Sequence, residues 1–399
     1  MKDSKGNILI LFITMIVVML GFGMIIPILP FYIESFGASG RALGGLMATY
    51  GLMQFLFAPV WGQISDRVGR KKILLVGVFG NAIAQLLFGL STQLWMLFAA
   101  RALAGLLSSA TLPTAMAYIS DSTTHERRGG GMGAIGASMG IGMVLGPGLG
   151  GLLAANSLSL PFFLAAGLST FAMLLILLFL PESMPVTQRD TTNDRLHGPQ
   201  LRPLLTAVAG PTGFLFIMAF LLTFGLTNFE GVFGLYAANQ YKYSPQTVGA
   251  IFAFIGIVSA IVQGTLTGPF TRRFGETAVI RGSLILTALG FFMLIQASTL
   301  PGILAAVCFF ISSNAMLNPA NSSLISKRTI GGQGAAMGLN NSFMSLGRIV
   351  GPLWAGFMFD INLNFPYLTG ATVMLAGFAL SLVYLKGNAE TDRKPVEAS

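Results

Sequence analysis

Gly62-Gln63-Ile64-Ser65-Asp66-Arg67-Val68-Gly69 stands between two long apolar runs, and Gly268-Pro269-Phe270-Thr271-Arg272-Arg273-Phe274-Gly275 stands between two others 206 residues later. Gly, Arg and Gly coincide in the two octets. Pro113 and Pro319 are also 206 apart, and Gly142-Met143-Val144-Leu145-Gly146-Pro147 matches Gly347-Arg348-Ile349-Val350-Gly351-Pro352 at an offset of 205. One such match is weak in a chain with 50 glycines. Three at near-constant spacing, each at an equivalent place among the apolar runs, mark two structural repeats.

The runs around these stretches are long enough to cross a bilayer, whose ~30 Å hydrocarbon core takes about 20 helical residues. Twelve are read, at 8–31, 42–63, 73–91, 94–119, 131–155, 161–180, 207–238, 246–270, 278–297, 301–325, 334–358 and 365–385. Composition agrees: 54% of the residues are hydrophobic and 9% charged, against roughly a quarter charged in a soluble domain. Gly and Leu runs without strict alternation exclude the ten-residue dyads of a membrane barrel. The expected fold is an all-α membrane protein with twelve transmembrane helices in two pseudo-symmetric six-helix bundles. Residues 182–204, the longest polar stretch between spans, divide the spans six and six. The expected domains are a first bundle at 1–181, a cytoplasmic linker at 182–204, a second bundle at 205–387 and a cytoplasmic tail at 388–399.

A net charge of +9 suits nucleic acid as well as a membrane, so its distribution decides. All but four of the 23 Lys and Arg residues fall in the tails or in every second loop, including Lys2, Lys5, Arg127, Arg189, Arg195, Lys386, Arg393 and Lys394. Arg41 and Lys242 occupy the opposite loops, and Arg101 and Arg348 lie inside spans. The excess of basic residues on one side places both termini in the cytoplasm and leaves no role for nucleic acid. Lys2 and Lys5 before an apolar run could open a signal peptide, but no small-x-small cleavage site follows, so the first span is read as retained. Cys308 stands alone, which excludes an internal disulfide and a cysteine metal site.

Repeated halves of six helices, with a substrate site between them near the midplane, are a transporter architecture. A membrane enzyme would need a catalytic constellation. His125 and His197 both fall in cytoplasmic loops, and no paired carboxylates lie within the spans. The chain is therefore expected not to be an enzyme and to need no cofactor or metal.

With Arg70-Lys71-Lys72, the first loop resembles the signature loop of the major facilitator superfamily. That loop's positions are filled by Gly62, Asp66, Arg67, Gly69, Arg70 and Lys71. Asp121, at the cytoplasmic end of span four, fits the same charge network, for which the resemblance implies a conformational latch. In the second half Arg272 and Lys327 stand where Asp66 and Asp121 stand, so the network is read as asymmetric. Leu20-Gly21-Phe22-Gly23 through Pro30 in span one and Arg101-Ala102-Leu103-Ala104-Gly105 in span four resemble the drug:proton antiporter branch, which implies a proton gradient as the energy source. Gly142, Gly146, Pro147, Gly150 and Gly151 in span five resemble the motif of antiporters rather than symporters. Their small side chains also suit ordinary close helix packing.

Three charged residues are read as lying deep in spans: Arg101, Glu230 and Arg348. A charge at the bilayer centre costs roughly 2.5–3.5 kcal/mol on insertion scales, so it is seldom kept without a use or partner. Glu230 is the candidate proton carrier, with a structural pairing to Arg348 as the alternative. Arg101 matches the family's intramembrane arginine, whose implied role is in coupling; bonding to backbone carbonyls is the alternative. Helical spacing puts Thr223, Thr227 and Phe233 on the face of Glu230. Asn314, Asn318 and Asn321 share a face in span ten, as Tyr50 and Gln54 do in span two. These are candidates to line a substrate cavity for lipophilic cations, with interhelical packing as the competing role of each.

The reading is a multidrug efflux antiporter of a bacterial cytoplasmic membrane. Its partners would be small lipophilic substrates, protons and the bilayer, and it would act as a monomer. A tetracycline specialist is the nearest alternative, because Tyr50 to Leu75 resembles the equivalent stretch of those pumps. They carry aspartates within spans one and three, where this chain has Val18 and Ala84. A lipid or metabolite exporter on the same scaffold is the other.

Overall fold

A computed structural model describes residues 4–185, 187, 198–199, 201–210, 212–329 and 332–385. Most of the predicted linker, the tail at 388–399, and Lys2, Arg189, Arg195, His197, Lys386, Arg393 and Lys394 lie outside the described residues, as do the side chains of Lys5, His125 and Arg127.

The first packing unit opens with α1 (Ser4–Glu34), α2 (Gly40–Val68), α3 (Arg70–Gly89), α4 (Leu94–Ser108), α5 (Thr111–Ser122), α6 (His125–Ala154) and α7 (Leu160–Phe179). There follow α8 (Leu201–Ala209), α9 (Gly213–Tyr241), α10 (Pro245–Ile261), a π-helical turn (Val262–Leu266) and α11 (Thr267–Phe274). The chain continues through α12 (Glu276–Gln296), α13 (Leu300–Asn314), α14 (Leu317–Arg328), α15 (Gln333–Ile361) and α16 (Phe365–Tyr384). By packing, residues 1–200 and 233–256 form one unit, and 201–232 and 257–399 the other.

Eleven helical stretches among the described residues are long and apolar enough to cross a membrane. The remaining predicted span, 334–358, is α15. Its 29 residues are as long as most of the others, but Asn340, Asn341 and Arg348 make it less apolar.

Spans four and ten are each two helices in line. The first breaks at Ser109 and Ala110, the second at Ala315 and Met316, again 206 residues apart. Pro113 and Pro319 explain the breaks, since each lacks the N–H that would bond to the carbonyl four residues earlier, and its ring crowds that carbonyl.

Helices in lipid gain nothing from excluding water from one another, so their association rests on close contact. α6 shows how close. A Cβ built on Gly142 would lie 2.6 Å from Met19 Cβ, one on Gly146 2.7 Å from the Leu20 carbonyl, and one on Gly150 2.5 Å from that of Met24. All three press on α1. The neighbouring face of α6 meets the start of α10 instead, where a Cβ on Gly151 would lie 2.7 Å from the Pro245 carbonyl and one on Gly249 2.5 Å from that of Pro147. The paired Gly150-Gly151 therefore serves two neighbours at once.

At the other end of this unit Leu11, Met15, Leu74, Val78, Tyr118 and Ile176 form a buried core. The Tyr118 hydroxyl closes it with a hydrogen bond to the Pro181 carbonyl, 2.8 Å. The same construction recurs in the second unit. Gly347 meets Phe220, Thr223 and Phe224 of α9, and Gly351 meets Phe224, Thr227 and Asn228.

Overpacking of this kind costs about 1–3 kcal/mol. Gly146→Ala is therefore expected to lower the thermal midpoint of the purified protein in detergent. Gly136→Ala, on the same helix but facing open space, is expected to leave it unchanged. Equal melting of the two variants would contradict the packing described.

Candidate functional site

The loop between α2 and α3 is a single residue, Gly69, at φ 110°, a conformation that a side chain would strain. Arg70 thus begins α3 directly beside the last turn of α2. Its guanidinium, almost wholly buried, reaches Asp66 at 2.5 Å and Asp121 of α5 at 2.9 Å, and donates to Ser65 Oγ at 2.6 Å. Glu182, just beyond α7, accepts from the backbone N–H groups of Arg70 (2.8 Å) and Ser183 (3.1 Å), and so caps α3. Lys71 Nζ donates to the Leu177 carbonyl at 2.9 Å. Arg67 is half-buried at the end of α2, and no close contact crowds Gly62.

The second unit repeats this cluster with the signs exchanged. Gly275, at φ 80°, joins α11 to α12 as Gly69 joins α2 to α3. The residue after it is Glu276, in the place of Arg70. Its buried carboxylate meets Lys327 Nζ at 2.6 Å and accepts from Ser323 Oγ at 2.9 Å. Arg70 and Asp121 map onto Glu276 and Lys327 at the same spacing of 206. The asymmetry expected from Arg272 and Lys327 is thus an exchange of charge, with the geometry kept. Glu276 is legible only by carrying that spacing one residue past the repeated octet.

Inside the membrane, Gly105 lets α4 approach α2, since a Cβ there would lie 2.6 Å from the Tyr50 carbonyl. One turn away Arg101, 4% exposed, lies over two rings, 5.1 Å from the centre of Tyr50 and 5.8 Å from that of Phe88. Phe22 stands 5.6 Å from the Tyr50 ring, and the Tyr50 hydroxyl is 3.4 Å from Ser108 Oγ. The arginine is held by aromatic faces, which attract a desolvated cation. Among the described residues its buried Nε has no acceptor. Gln54 is half-buried one turn along α2.

Glu230 lies three residues beyond the middle of α9, so about 4–5 Å along the axis from its centre and ~16 Å from its nearer end. It is half-buried, and the charge acting on it is Arg348 of α15. The two glycine seams can be laid over one another: Leu20 and Met24 of α1 match Phe224 and Asn228 of α9. On that alignment Ile26 stands in the place of Glu230 and Met143 in the place of Arg348. In the first unit both of these places hold apolar side chains. Packing therefore does not account for the two charges.

The other candidates divide. Thr223 and Thr227 are buried in the seam between α9 and α15, and the Thr227 hydroxyl donates to the carbonyls of Thr223 (2.8 Å) and Gly347 (3.1 Å). Phe233 is buried with its ring edge-on to Phe252, 5.6 Å away. Asn321 donates to the Leu215 carbonyl at 3.0 Å. These four side chains serve helix contacts. Asn318 is half-buried. Asn314, buried at the break in span ten, has among the described residues no acceptor for its amide nitrogen. Asn228, which the spacing around Glu230 does not single out, donates to the Pro366 carbonyl at 2.6 Å and fixes α9 to α16.

Comparison with known proteins bears on the whole chain. A family profile described as Major Facilitator Superfamily matches residues 11–266 and 215–399. Multidrug resistance protein 1 of Bacillus subtilis (strain 168) is 32% identical over 386 residues, covering 96% of this chain and 97% of the relative. Multidrug resistance protein 2 of the same organism is 30% identical over 384 residues, covering 96% of each. Quinolone resistance protein NorA of Staphylococcus aureus (strain COL) is 29% identical, covering 94% and 96%. Among solved structures, the human organic anion transporter TETRAN aligns at a TM-score of 0.69 and 24% identity, over 96% of this chain and all of its own. The nucleoside transporter NupG aligns at 0.78 and 17%, over 96% of this chain and all of its own. At these identities the two structures speak for the fold alone. With the profile running from residue 11 to the C-terminus and two relatives at 30% identity or above, the chain belongs to the Major Facilitator Superfamily.

Proposed function

We propose that the chain exports lipophilic, cationic drugs from the bacterial cytoplasm in exchange for protons, with Glu230 as the group that carries one or the other. The observation that carries this reading is the Glu230–Arg348 charge pair, set mid-span on a glycine seam whose copy in the first unit is apolar. A carboxylate in a low-dielectric surrounding bears a desolvation cost, which Arg348 offsets in part and which either a proton or a cationic cargo can offset further. One acid can hold either in turn, and exclusive occupancy is what exchange requires. The relatives named as multidrug and quinolone resistance proteins support drugs as the cargo.

In this scheme the two functional halves are residues 1–181 and 205–387, with both termini in the cytoplasm. Arg101, clamped between Tyr50 and Phe88, supplies fixed positive charge to the first half. The clusters around Arg70 and Glu276 act as latches on the cytoplasmic side, and the sign exchange gives each half a differently charged rim. Tyr50, Gln54, Asn314 and Asn318 remain as candidates to meet the cargo, whereas Thr223, Thr227 and Phe233 hold helices together.

Transport in inverted membrane vesicles under an imposed pH gradient tests the exchange. Each pH unit supports up to about tenfold accumulation per proton exchanged with a monovalent cation. Wild type is expected to concentrate a cationic dye to that order, and Glu230→Gln to let it only equilibrate. Undiminished proton-driven uptake by Glu230→Gln would remove the acid from the mechanism. Movement of tetracycline without dye would select a specialist, and movement of neither a lipid or metabolite exporter.

The second latch is tested by charge reversal. Glu276→Lys and Lys327→Glu each bring like charges together and are expected to slow dye export, while the double variant restores the pair and most of the rate. The coupling energy in a double-mutant cycle of thermal unfolding is expected at about 0.5–3 kcal/mol. A double variant no better than the worse single would contradict the assignment.

A further inference from the structure

The second unit holds a cavity of about 410 Å³ between α11, α12 and α13, a size typical of small-molecule sites. Its walls include Phe270, Phe274, Gly282, Leu286, Phe309 and Ser313. The lining is apolar, because the Ser313 hydroxyl is already bonded to the Phe309 carbonyl at 2.9 Å. Phe270, Phe274 and Leu286 are exposed, and Leu286 continues into the exposed row of Leu289 and Met293 on α12. In a membrane span such a row faces lipid, so the cavity opens toward acyl chains.

The internal repeat explains why the space exists. Offset by 206, Gly282, Ser312 and Ser313 correspond to Val76, Leu106 and Leu107. In the first unit Leu107 is driven against Gly80, where a Cβ would lie 2.1 Å from its own. In the second, Ser313 and Leu286 take those places, and nothing stands within 4 Å of a Cβ built on Gly282. Gly282 and Ser312 are cut back outright, while the Leu107–Gly80 contact is exchanged for Ser313 beside Leu286.

The rim of the cavity is cationic. Arg273, in the exposed last turn of α11, holds its guanidinium 5.5 Å from the centre of the Phe274 ring, itself part of the wall, while Arg272 projects from the other face of the helix. The acid at this end, Glu276, is already neutralised by Lys327. By the charge distribution of the loops, this is the end in the cytoplasmic leaflet. Guanidinium groups bind phosphate through paired hydrogen bonds, and basic residues beside a pocket between spans select anionic headgroups.

We propose that the second unit binds one anionic glycerophospholipid of the cytoplasmic leaflet, with an acyl chain in this cavity and the phosphate on Arg273. The site is independent of the transport reading.

Native mass spectrometry of the full-length protein in mild detergent tests it, with phosphatidylglycerol and phosphatidylcholine of identical acyl chains supplied together. Wild type is expected to keep one phosphatidylglycerol at least about fivefold more often than phosphatidylcholine, a difference of ~1 kcal/mol. Arg273→Gln should remove the preference. Gly282→Leu, which fills open space, should remove the tightly held lipid of either kind, and Ser313→Leu is a second filling variant should the first fail to fold. No preference in wild type, or a retained phosphatidylglycerol in a folded filling variant, would overturn the proposal. So would ethidium held in the lipid's place in wild type and lost on filling, which would make the cavity a substrate site.

Discussion

Backbone-to-backbone contact between helices is the constraint on which this structure rests. Lipid tails are as apolar as leucine, so burying a leucine between two spans gains little, and the helices cohere where they come close enough for many small attractions to add. Glycines four residues apart, at 142, 146 and 150 of α6 and at 347 and 351 of α15, permit that approach to α1 and α9. A seam of this kind leaves room only for short side chains such as Thr223 and Thr227, so charged ones must sit beside it. Glu230 and Arg348 do so.

The internal repeat supplies the control that a single helix pair lacks. Each feature of one half can be set against its counterpart 204 to 206 residues away, and agreement marks what the scaffold needs. Glycines at the seam, a one-residue glycine turn, a proline after a helix break and a buried ion pair beside that turn occur in both halves. Disagreement marks what the scaffold does not need: Glu230 against Ile26, Arg348 against Met143, and Gly282 and Ser313 against Val76 and Leu107.

Much of the fold is legible without coordinates, because hydropathy, glycine spacing and the distribution of basic residues are themselves the physics of a bilayer protein. The cluster of Asp66, Arg70 and Asp121 is legible from its loop. Helical spacing around Glu230 places Thr223 and Thr227 on one face, but it does not show that the Thr227 hydroxyl is taken by the carbonyls of Thr223 and Gly347 while that of Thr223 has no partner among the described residues, because this depends on which side the glycines of α15 occupy. Glu276 was hidden by its sign, since a motif is sought by residue type and an exchanged ion pair keeps only the geometry. The cavity beside Gly282 was hidden because missing volume leaves no residue to notice.

The central claim is that one carboxyl group gives up a proton when cargo arrives. Proton release by purified protein in lightly buffered detergent, followed with a pH-sensitive dye as ethidium is added, addresses that exchange without a membrane or a gradient. The account predicts a release that saturates with binding in wild type and is absent from Glu230→Gln. Saturable ethidium binding by wild type with no proton released would contradict it.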